Sequence, residues 1–340
     1  MIEVLADDIV EEHIHGQQFA PLRVMSVRIP GTVDDPPLAV ERTVLPDMRT
    51  GPPIILVHGF AQNRYTWRVS QRSLSGRLAL EGFDVWNLEL RGHGNSRAYG
   101  AGNATAFEQY VRDLVRTVAV AREESGGRAP FVMGHSLGGG VAVAASTLVP
   151  LAGVVHVAGV YVFATGNPFL RLLAGVTQEA RPLLTTSRIR MSTGWAGRLV
   201  SRLYGFTDAT GYAFPVSGWA PGSVERDLLD ERLTKGFDWT SVEVWLEMAE
   251  WARGREFPYA PAFRTTDVPL LVIAGDADTL LMPKDAKRCF DESGSTDKHY
   301  LLFEPFEHQV HWGHLDLLLG KRAPEFVWPR IVRFLADRAG

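Results

Sequence analysis

Short apolar runs recur along the chain, and most of them are too short to be helices. Eight runs are strand candidates: Arg23–Ile29, Ala39–Leu45, Ile54–Val57, Asp84–Leu88, Phe131–Met133, Val154–Phe163, Leu270–Ala274 and Tyr300–Phe303. The first two alternate apolar and polar residues, as antiparallel edge strands do, whereas the later ones are continuously apolar, as in a parallel sheet covered on both faces. Longer runs with helical composition separate them: Gln71–Leu80, Ala106–Glu124 and Leu137–Val149. The pattern predicts an α/β fold with a mostly parallel, eight-stranded sheet covered by helices.

The pattern changes between Thr165 and Phe263, where no clear strand is found. This stretch holds five of the nine tryptophans: Trp195, Trp219, Trp239, Trp245 and Trp251. Thr240 and Glu243 have the spacing of a capping box, which predicts a helix that reaches about Arg253. We therefore predict an inserted helical cap over residues 165–263 and a core formed by residues 1–164 and 264–340.

Composition narrows the class of protein. The chain is 46% apolar and 22% charged with a net charge of −4, so it is globular and has no broad positive field for nucleic acid. Its one cysteine, Cys289, allows neither an intrachain disulfide nor a thiolate metal cluster, and we expect a small, partly buried helix residue there. The acidic start, residues 1–12, lacks the basic and apolar segments of a secretory signal, and we expect a cytoplasmic protein.

A long uncharged stretch raises the question of a membrane span. No Asp, Glu, Lys or Arg occurs from Ala129 to Leu170. Pro150 divides its most apolar part into Val141–Val149 and Leu151–Ala164, and each piece is shorter than the roughly 20 residues that a spanning helix needs. We expect a buried helix followed by a buried strand, and no transmembrane segment.

The candidate nucleophile lies in the run Gly134-His135-Ser136-Leu137-Gly138, which has the pattern GxSxG. The bare pattern arises easily by chance, but here it directly follows a predicted strand and precedes a predicted helix. That context is required for a sharp turn that lifts a serine hydroxyl clear of the sheet edge. The helix behind Ser136 also points its positive end at a developing oxyanion.

A serine nucleophile needs a base, and the base needs an acid to orient it. Gly275-Asp276-Ala277-Asp278 follows a strand at the carboxyl edge of the sheet, where α/β sites form. We take Asp278 as the acid and keep Asp276 as its rival, with one of the two capping the turn. The base is one of His308, His311 and His314, and spacing alone does not decide among them.

The three histidines also allow a metal interpretation, because they stand at positions i, i+3 and i+6. Gly313 interrupts a rigid helical face between them, and no carboxylate stands at metal-ligand spacing. We expect neither a metal nor any other cofactor.

These motifs resemble the serine hydrolases of the α/β-hydrolase fold. The resemblance rests on Ile55–Phe60, Glu89–Ser96, Gly134–Gly139, Gly275–Asp278 and Gly313–Asp316, which together span nearly the whole predicted core. The tail from Gly313 to Gly320 is similar to that of the lysosomal and gastric acid lipases and their bacterial relatives. In that group the histidine before Leu-Asp is catalytic, so the resemblance implies a triad of Ser136, Asp278 and His314.

The resemblance also implies where the oxyanion hole lies. The loop after His58-Gly59 supplies its first half, so the backbone N–H groups of Phe60 and Leu137 are the expected donors. We expect His58 and His135 to form supporting hydrogen bonds rather than to transfer protons. One departure concerns Glu89, where the family commonly has aspartate, which leaves open how the following loop is anchored.

The function predicted from these residues is hydrolysis of an apolar carboxylic ester, a small or lipid-like molecule, through an acyl-enzyme. Serine at position 136 excludes the dehalogenases and epoxide hydrolases of this fold, because they use an aspartate nucleophile. The alternatives are another acyl chemistry with the same serine (acyl transfer, lactone or thioester hydrolysis, or carbon–carbon bond hydrolysis) and a binding protein without turnover. Lipase and esterase activity stay unresolved, since the tryptophans of the predicted cap can either line a substrate pocket or form the core of the cap itself.

Overall fold

The computed structural model describes residues 2–47, 51–182, 191–192 and 218–339. The strands of these residues are β1 (Glu3–His15), β2 (Gln18–Ile29), β3 (Leu38–Val44), β4 (Pro53–Val57), β5 (Arg68–Val69), β6 (Arg72–Ser73), β7 (Asp84–Glu89), β8 (Phe131–His135), β9 (Gly153–Val157), β10 (Met191–Ser192), β11 (Trp239–Thr240), β12 (Leu270–Gly275) and β13 (Lys298–Phe303). The helices are α1 (Leu74–Leu80), α2 (Gly94–Ala98), α3 (Phe107–Glu124), α4 (Leu137–Ser146), α5 (Pro168–Glu179), α6 (Arg226–Lys235), α7 (Val242–Ala252), α8 (Ala260–Phe263), α9 (Pro283–Glu292), α10 (Pro305–His308), α11 (Asp316–Leu319), α12 (Ala323–Phe326) and α13 (Trp328–Ala336). A short 3₁₀ helix covers Arg64–Thr66.

In the described residues the main sheet has nine strands in the order β1-β2-β3-β7-β4-β8-β9-β12-β13. The pairs from β7 to β13 are parallel, and the pairs β1·β2, β2·β3 and β3·β7 are antiparallel. The prediction of a mostly parallel sheet with antiparallel strands at one edge is confirmed. All eight predicted strands are present.

The ninth strand, β1, was missed, so the predicted count of eight was wrong by one. Most side chains of β1 are exposed, and backbone pairing to β2 holds it at the edge of the sheet. An edge strand with so little buried surface carries no clear hydrophobic alternation, which is the signal that sequence patterns depend on.

Both faces of the sheet are covered, as continuously apolar strands predict. In β4, Ile55 and Val57 face one apolar core, while Ile54 and Leu56 face another on the opposite side. All four side chains are fully buried. Helix α4 is also buried along its whole length, and within the described part of the chain no helix is long and apolar enough to cross a membrane.

The strand predicted over Val154–Phe163 ends earlier, with β9 at Val157. Ala158 then has a positive φ of 41°, and its N–H donates to the carbonyl of Ile273 at 2.8 Å. The next turn brings the N–H of Val160 to the carbonyl of Ser136 at 2.9 Å. The apolar run therefore leaves the sheet to support the turn that carries the candidate nucleophile.

The cap boundaries at residues 165 and 263 stay a prediction, because residues 183–190 and 193–217, with Trp195, lie outside the described residues. The described part of this segment contains helices α5 to α8 and the short antiparallel pair β10·β11, which the sequence pattern did not indicate. The predicted helix is α7, but its N-cap is Ser241 rather than Thr240. The Ser241 hydroxyl accepts from the N–H of Val244 at 3.1 Å, which satisfies a free donor of the first turn.

Candidate active site

Ser136 occupies the sharp turn between β8 and α4. Its φ of 57° and ψ of −124° are unusual for a residue with a side chain. Its N–H donates to the carbonyl of Val157 at 3.1 Å, and its carbonyl accepts from the N–H groups of Gly139 and Val160 at 3.0 and 2.9 Å. These backbone bonds hold the serine in a strained conformation that the surrounding structure must maintain.

The two glycines of the GxSxG run are required by close backbone packing. A Cβ at Gly134 would overlap the backbone of Gly138. A Cβ at Gly138 would overlap the carbonyl of Val57 in the neighbouring strand. The motif therefore lets helix α4 start directly against the sheet, with Ser136 at its N-terminus.

His314 and Asp278 form a buried pair, with His314 Nδ1 2.7 Å from Asp278 Oδ2. Each residue is only 2% exposed. The other carboxylate oxygen, Oδ1, accepts from the N–H groups of Leu280 and Leu281 at 2.8 and 2.9 Å. Because a carboxylate only accepts, Nδ1 of His314 carries the proton, which leaves Nε2 with a free lone pair.

Asp276 and His311, the alternative acid and one of the alternative bases, form a separate pair of their own. His311 Nδ1 lies 2.5 Å from Asp276 Oδ2, and the His311 side chain is 53% exposed. Asp276 Oδ1 accepts from the N–H of Trp312 at 2.8 Å, which caps the turn. His308 accepts from the N–H of Glu304 at 3.3 Å and packs on the ring of Phe303. The two predicted aspartates thus contact different histidines.

His135 connects the serine turn to the histidine loop. It directly precedes Ser136, its ring centroid lies 4.5 Å from that of His314, and its Nε2 donates to the His314 carbonyl at 3.1 Å. The structure therefore brings Ser136, His314 and Asp278 to one end of the sheet. Burial, with a smaller contribution from His314, lowers the pKa of His135 well below its usual value, so this ring is neutral.

The loop after β4 passes directly in front of the serine. A Cβ at Gly59 would lie 2.8 Å from Cβ of Ser136, so only glycine allows this approach. His58 holds the loop, with Nδ1 donating to the Gly59 carbonyl at 2.9 Å and Nε2 accepting from the Leu90 N–H at 3.1 Å. Burial lowers the pKa of His58 to about 3, so the ring is neutral and both nitrogens are in use. This matches the supporting role expected for His58.

The predicted oxyanion donors lie on both sides of Ser136. Phe60 follows Gly59 in the loop, and Leu137 is the first residue of α4. Among the described residues, the N–H groups of Phe60 and Leu137 have no hydrogen-bond acceptor. An N–H at the first position of a helix has no acceptor within that helix, which leaves it available for a ligand.

Glu89 anchors the following loop although the family commonly has aspartate there. Its Oε2 accepts from the Asn95 N–H at 2.8 Å and lies 3.2 Å from Arg64 Nη1. The Ser96 hydroxyl donates to the Glu89 carbonyl. Burial raises the pKa of the Glu89 carboxyl, and the Arg64 charge opposes that rise. The longer side chain therefore makes the loop contacts itself.

Asp316 stands two residues after His314 and was not among the predicted catalytic residues. Its buried Oδ2 accepts from the N–H groups of Gly313 and Ala220 at 2.5 and 2.8 Å, and its Oδ1 accepts from the Ser223 hydroxyl at 2.6 Å. Burial raises the pKa of Asp316 to about 7. Asp316 thus ties the loop just before His314 to residues 220–223 of the predicted cap. The only signal in the sequence was its place in the Gly-His-Leu-Asp run.

Within the described ranges, no three His, Cys, Asp or Glu side chains are arranged around a common point where a metal ion could bind. Cys289 is fully buried in α9, more so than expected, and burial raises the pKa of its thiol.

Comparison with known proteins adds independent information. The Hydrolase_4 family model, described as serine aminopeptidase S33, matches residues 52–313. Lipase member K from mouse is 24% identical over 328 residues, covering 84% of this chain and 79% of the lipase. Epoxide hydrolase B from Mycobacterium tuberculosis is 30% identical over 163 residues, which cover 47% of this chain and 40% of that enzyme.

Two solved structures are similar over nearly their whole length. A monoglyceride lipase variant from Saccharomyces cerevisiae, in complex with a substrate analog, has a TM-score of 0.66 at 16% identity and covers 97% of this chain and 99% of that one. The monoacylglycerol lipase of Paleococcus ferrophilus has a TM-score of 0.58 at 20% identity and covers 88% of this chain and 99% of that one. At these identities the likeness shows a shared fold.

Proposed function

Since the chain belongs to the serine aminopeptidase S33 family, a family of α/β-hydrolase fold enzymes, we propose that it hydrolyses carboxylic esters with Ser136 as the nucleophile. The observation that carries this proposal is the buried pair of His314 and Asp278 beside the strained serine turn. Relatives named as lipases and monoglyceride lipases support the choice of an ester over other acyl substrates.

The reaction begins when Ser136 Oγ attacks the ester carbonyl carbon and its proton passes to Nε2 of His314. Asp278 holds the imidazolium through Nδ1, and it is itself held by the N–H groups of Leu280 and Leu281. Collapse of the tetrahedral intermediate breaks the bond to the alcohol, which leaves with the proton from His314. Water, activated by the same histidine, then hydrolyses the acyl-serine and releases the acid.

The negative oxygen of each tetrahedral intermediate is stabilised by the backbone N–H groups of Phe60 and Leu137. Preorganised donors of this kind are each worth about 3 kcal/mol of transition-state stabilisation. Both residues belong to rigid elements, the glycine-supported loop after β4 and the first turn of α4. The Leu137 donor also benefits from the positive end of the helix.

The substrate is an apolar ester, because Phe60 of the loop after β4 packs beside an aromatic side chain of the predicted cap. The ring centroids of Phe60 and Trp245 lie 6.1 Å apart, and Trp245 also packs edge-on against Phe163. Trp245 is only partly buried, whereas Trp219 and Trp251 are buried in apolar packing of their own. Of the three tryptophans Trp219, Trp245 and Trp251, whose side chains the structure describes, Trp245 is thus the best placed to contact an acyl or alcohol group.

The test is hydrolysis of p-nitrophenyl esters from acetyl to palmitoyl by the wild type and by Ser136→Ala. We expect turnover that peaks at one chain length and disappears in the mutant, which should keep the wild-type melting temperature. A serine-reactive phosphonate should label the wild type at Ser136. Retained activity in Ser136→Ala would refute the nucleophile, and no turnover together with no labelling would indicate a protein without this activity.

The choice of acid and base is tested by comparing the same substitution at each candidate residue. Asp278→Asn should lower kcat by roughly 10³- to 10⁴-fold because the wrong tautomer of His314 is favoured, whereas Asp276→Asn should have a small effect. His314→Ala should be severe, and His308→Ala and His311→Ala mild. An equally severe loss of activity in His311→Ala would mean that His311, which pairs with Asp276 at the surface, is the base.

A further inference from the structure

Arg232 of helix α6 is a buried cation without a carboxylate partner among the described residues. The residue is 2% exposed, and its guanidinium carbon lies 5.6 Å from the ring centroid of Phe237. Its Nη2 donates to the Thr66 hydroxyl at 3.1 Å, while Nη1 has no acceptor in the part of the chain that the structure describes. Burial lowers the pKa of Arg232 to about 9, so the guanidinium still carries its charge at pH 7. Burying such a charge destabilises the fold.

The hydrogen bond from Arg232 continues toward the serine. The Thr66 hydroxyl, which accepts from the guanidinium, donates to Oε1 of Gln62 at 2.9 Å. The side-chain amide of Gln62 packs against Gly59, and a Cβ added at Gly59 would lie 3.1 Å from its Oε1. The backbone N–H of Gln62 also donates to the Gly59 carbonyl at 3.3 Å. Gly59 in turn contacts Ser136. A guanidinium can only donate, so a continuous line of hydrogen bonds runs from Arg232 through the Thr66 hydroxyl to the Gln62 side chain.

Residues that follow Arg232 form hydrogen bonds with the loop after β4, which contains Gly59 and Gln62. The Asn63 amide donates to the Lys235 carbonyl at 2.8 Å, and the Asp238 N–H donates to the Ala61 carbonyl at 2.8 Å. Ala61 has a positive φ of 58°, which costs energy for a residue with a Cβ and requires such support. Residues 232–238 therefore hold the strained loop in which Phe60 lies between Gly59 and Ala61.

The charge of Arg232 also acts on groups beside the serine. Burial is the main reason why the pKa values of His58 and His135 are low, and the positive charge of Arg232 lowers both further. His58 precedes Gly59, and His135 precedes Ser136. The positive charge of Arg232 therefore acts on the two histidines that precede Gly59 and Ser136.

We propose that Arg232 is a positioning residue for the oxyanion hole, acting through Thr66 and Gln62 on the loop that presents the Phe60 N–H. The proposal rests on the proposed ester hydrolysis. The proposal gives a reason for a charged residue at this buried position. Replacing a buried charge by an apolar residue is often neutral or stabilising, so the charge is not needed for stability alone. Its consequence is that residues 232–238 belong to the catalytic framework.

The test compares Arg232→Met, which keeps the length and loses the donor, with Arg226→Met at an exposed position of the same helix. Loss of a whole oxyanion donor costs about 10²- to 10³-fold, so a misplaced one should lower kcat by roughly 10- to 100-fold. KM should change by less than about threefold, because the ground state gains little from the donor. The melting temperature of Arg232→Met should equal or exceed that of the wild type. All kcat values are expressed per phosphonate-reactive serine.

Thr66 provides an independent second test. Thr66→Val removes the hydroxyl that links Arg232 to Gln62 and should lower kcat as Arg232→Met does. Thr66→Ser keeps a hydroxyl at this position and should retain most of the wild-type kcat. The double variant with Arg232→Met should lose no more than the single ones, because both break one chain of bonds. If Arg232→Met fails to fold, the Thr66 pair decides alone.

Wild-type kcat in Arg232→Met or Thr66→Val would overturn the proposal, and so would a rise in KM at constant kcat, which would indicate a substrate contact. Failure of the proposed function is seen separately, as a wild type that neither turns over esters nor reacts with the phosphonate. That result would overturn this inference as well.

Discussion

The buried carboxyl of Asp316 makes a quantitative prediction about stability and pH. Its pKa is about 7 in the folded protein and near 3.8 when the chain is unfolded. The folded state therefore binds the proton more tightly, so stability falls as pH rises between these two values. A shift of this size corresponds to about 4 kcal/mol in total, of which about 2–3 kcal/mol is lost between pH 5 and pH 8.

The perturbation is Asp316→Asn, which mimics the neutral acid. The amide oxygen can accept from Gly313 and Ala220 as Oδ2 does now, and the amide nitrogen can donate to the Ser223 oxygen. Between pH 5 and pH 8 the wild type should lose about 2–3 kcal/mol of unfolding free energy that the variant keeps.

The assay is urea unfolding followed by tryptophan fluorescence at pH 5, 6, 7 and 8. Asp337→Asn is the matched control, because its side chain is 62% exposed in the wild type. This control should follow the wild-type curve. Parallel curves for the wild type and Asp316→Asn would contradict this prediction, since they would mean that Asp316 does not change its protonation on unfolding in this range.

Three further predictions concern packing and anchoring. Gly134→Ala should lower the melting temperature strongly or prevent folding, by at least the 1–3 kcal/mol typical of overpacking, because the new methyl overlaps the backbone of Gly138; a wild-type melting curve would contradict this. Glu89→Asp should cost about 2 kcal/mol in urea unfolding, since the shorter side chain cannot keep its bond to the Asn95 N–H, and an unchanged midpoint would show that the loop adjusts. Cys289 should react with a thiol reagent only in denaturant, because burial raises its pKa and blocks access; fast labelling of the native protein would contradict this.

Much of the fold could be predicted from local sequence. Six continuously apolar runs predicted strands of a parallel sheet and two alternating runs predicted antiparallel strands, and all eight correspond to strands. The exposed strand β1 and the early end of β9 could not be predicted in this way, since backbone pairing holds the first and support of the serine turn causes the second. The N-cap of α7 differed by one residue, because Thr240 and Ser241 both carry a hydroxyl that can cap a helix and the capping-box spacing pointed to Thr240.

In the candidate site, too, some features depend on neighbouring residues and could be predicted, whereas others depend on contacts between remote residues. The GxSxG run and its place between a strand and a helix are local, so Ser136 could be singled out from sequence alone. Which aspartate meets which histidine is not local. Asp276 and His311 are 35 residues apart and Asp278 and His314 are 36, so the spacing does not distinguish the pairs.

Local sequence is enough to predict eight strands of the main sheet, the serine turn and the set of candidate acids and bases, because these depend on residue types within a few positions of one another. Only the tertiary structure decided that Asp278 and His314 pair in the interior while Asp276 and His311 pair at the surface. It also decided that Arg232 is buried beside the loop of Gly59. Burial and distance between remote residues depend on how the sheet and helices pack, and no local pattern contains that information.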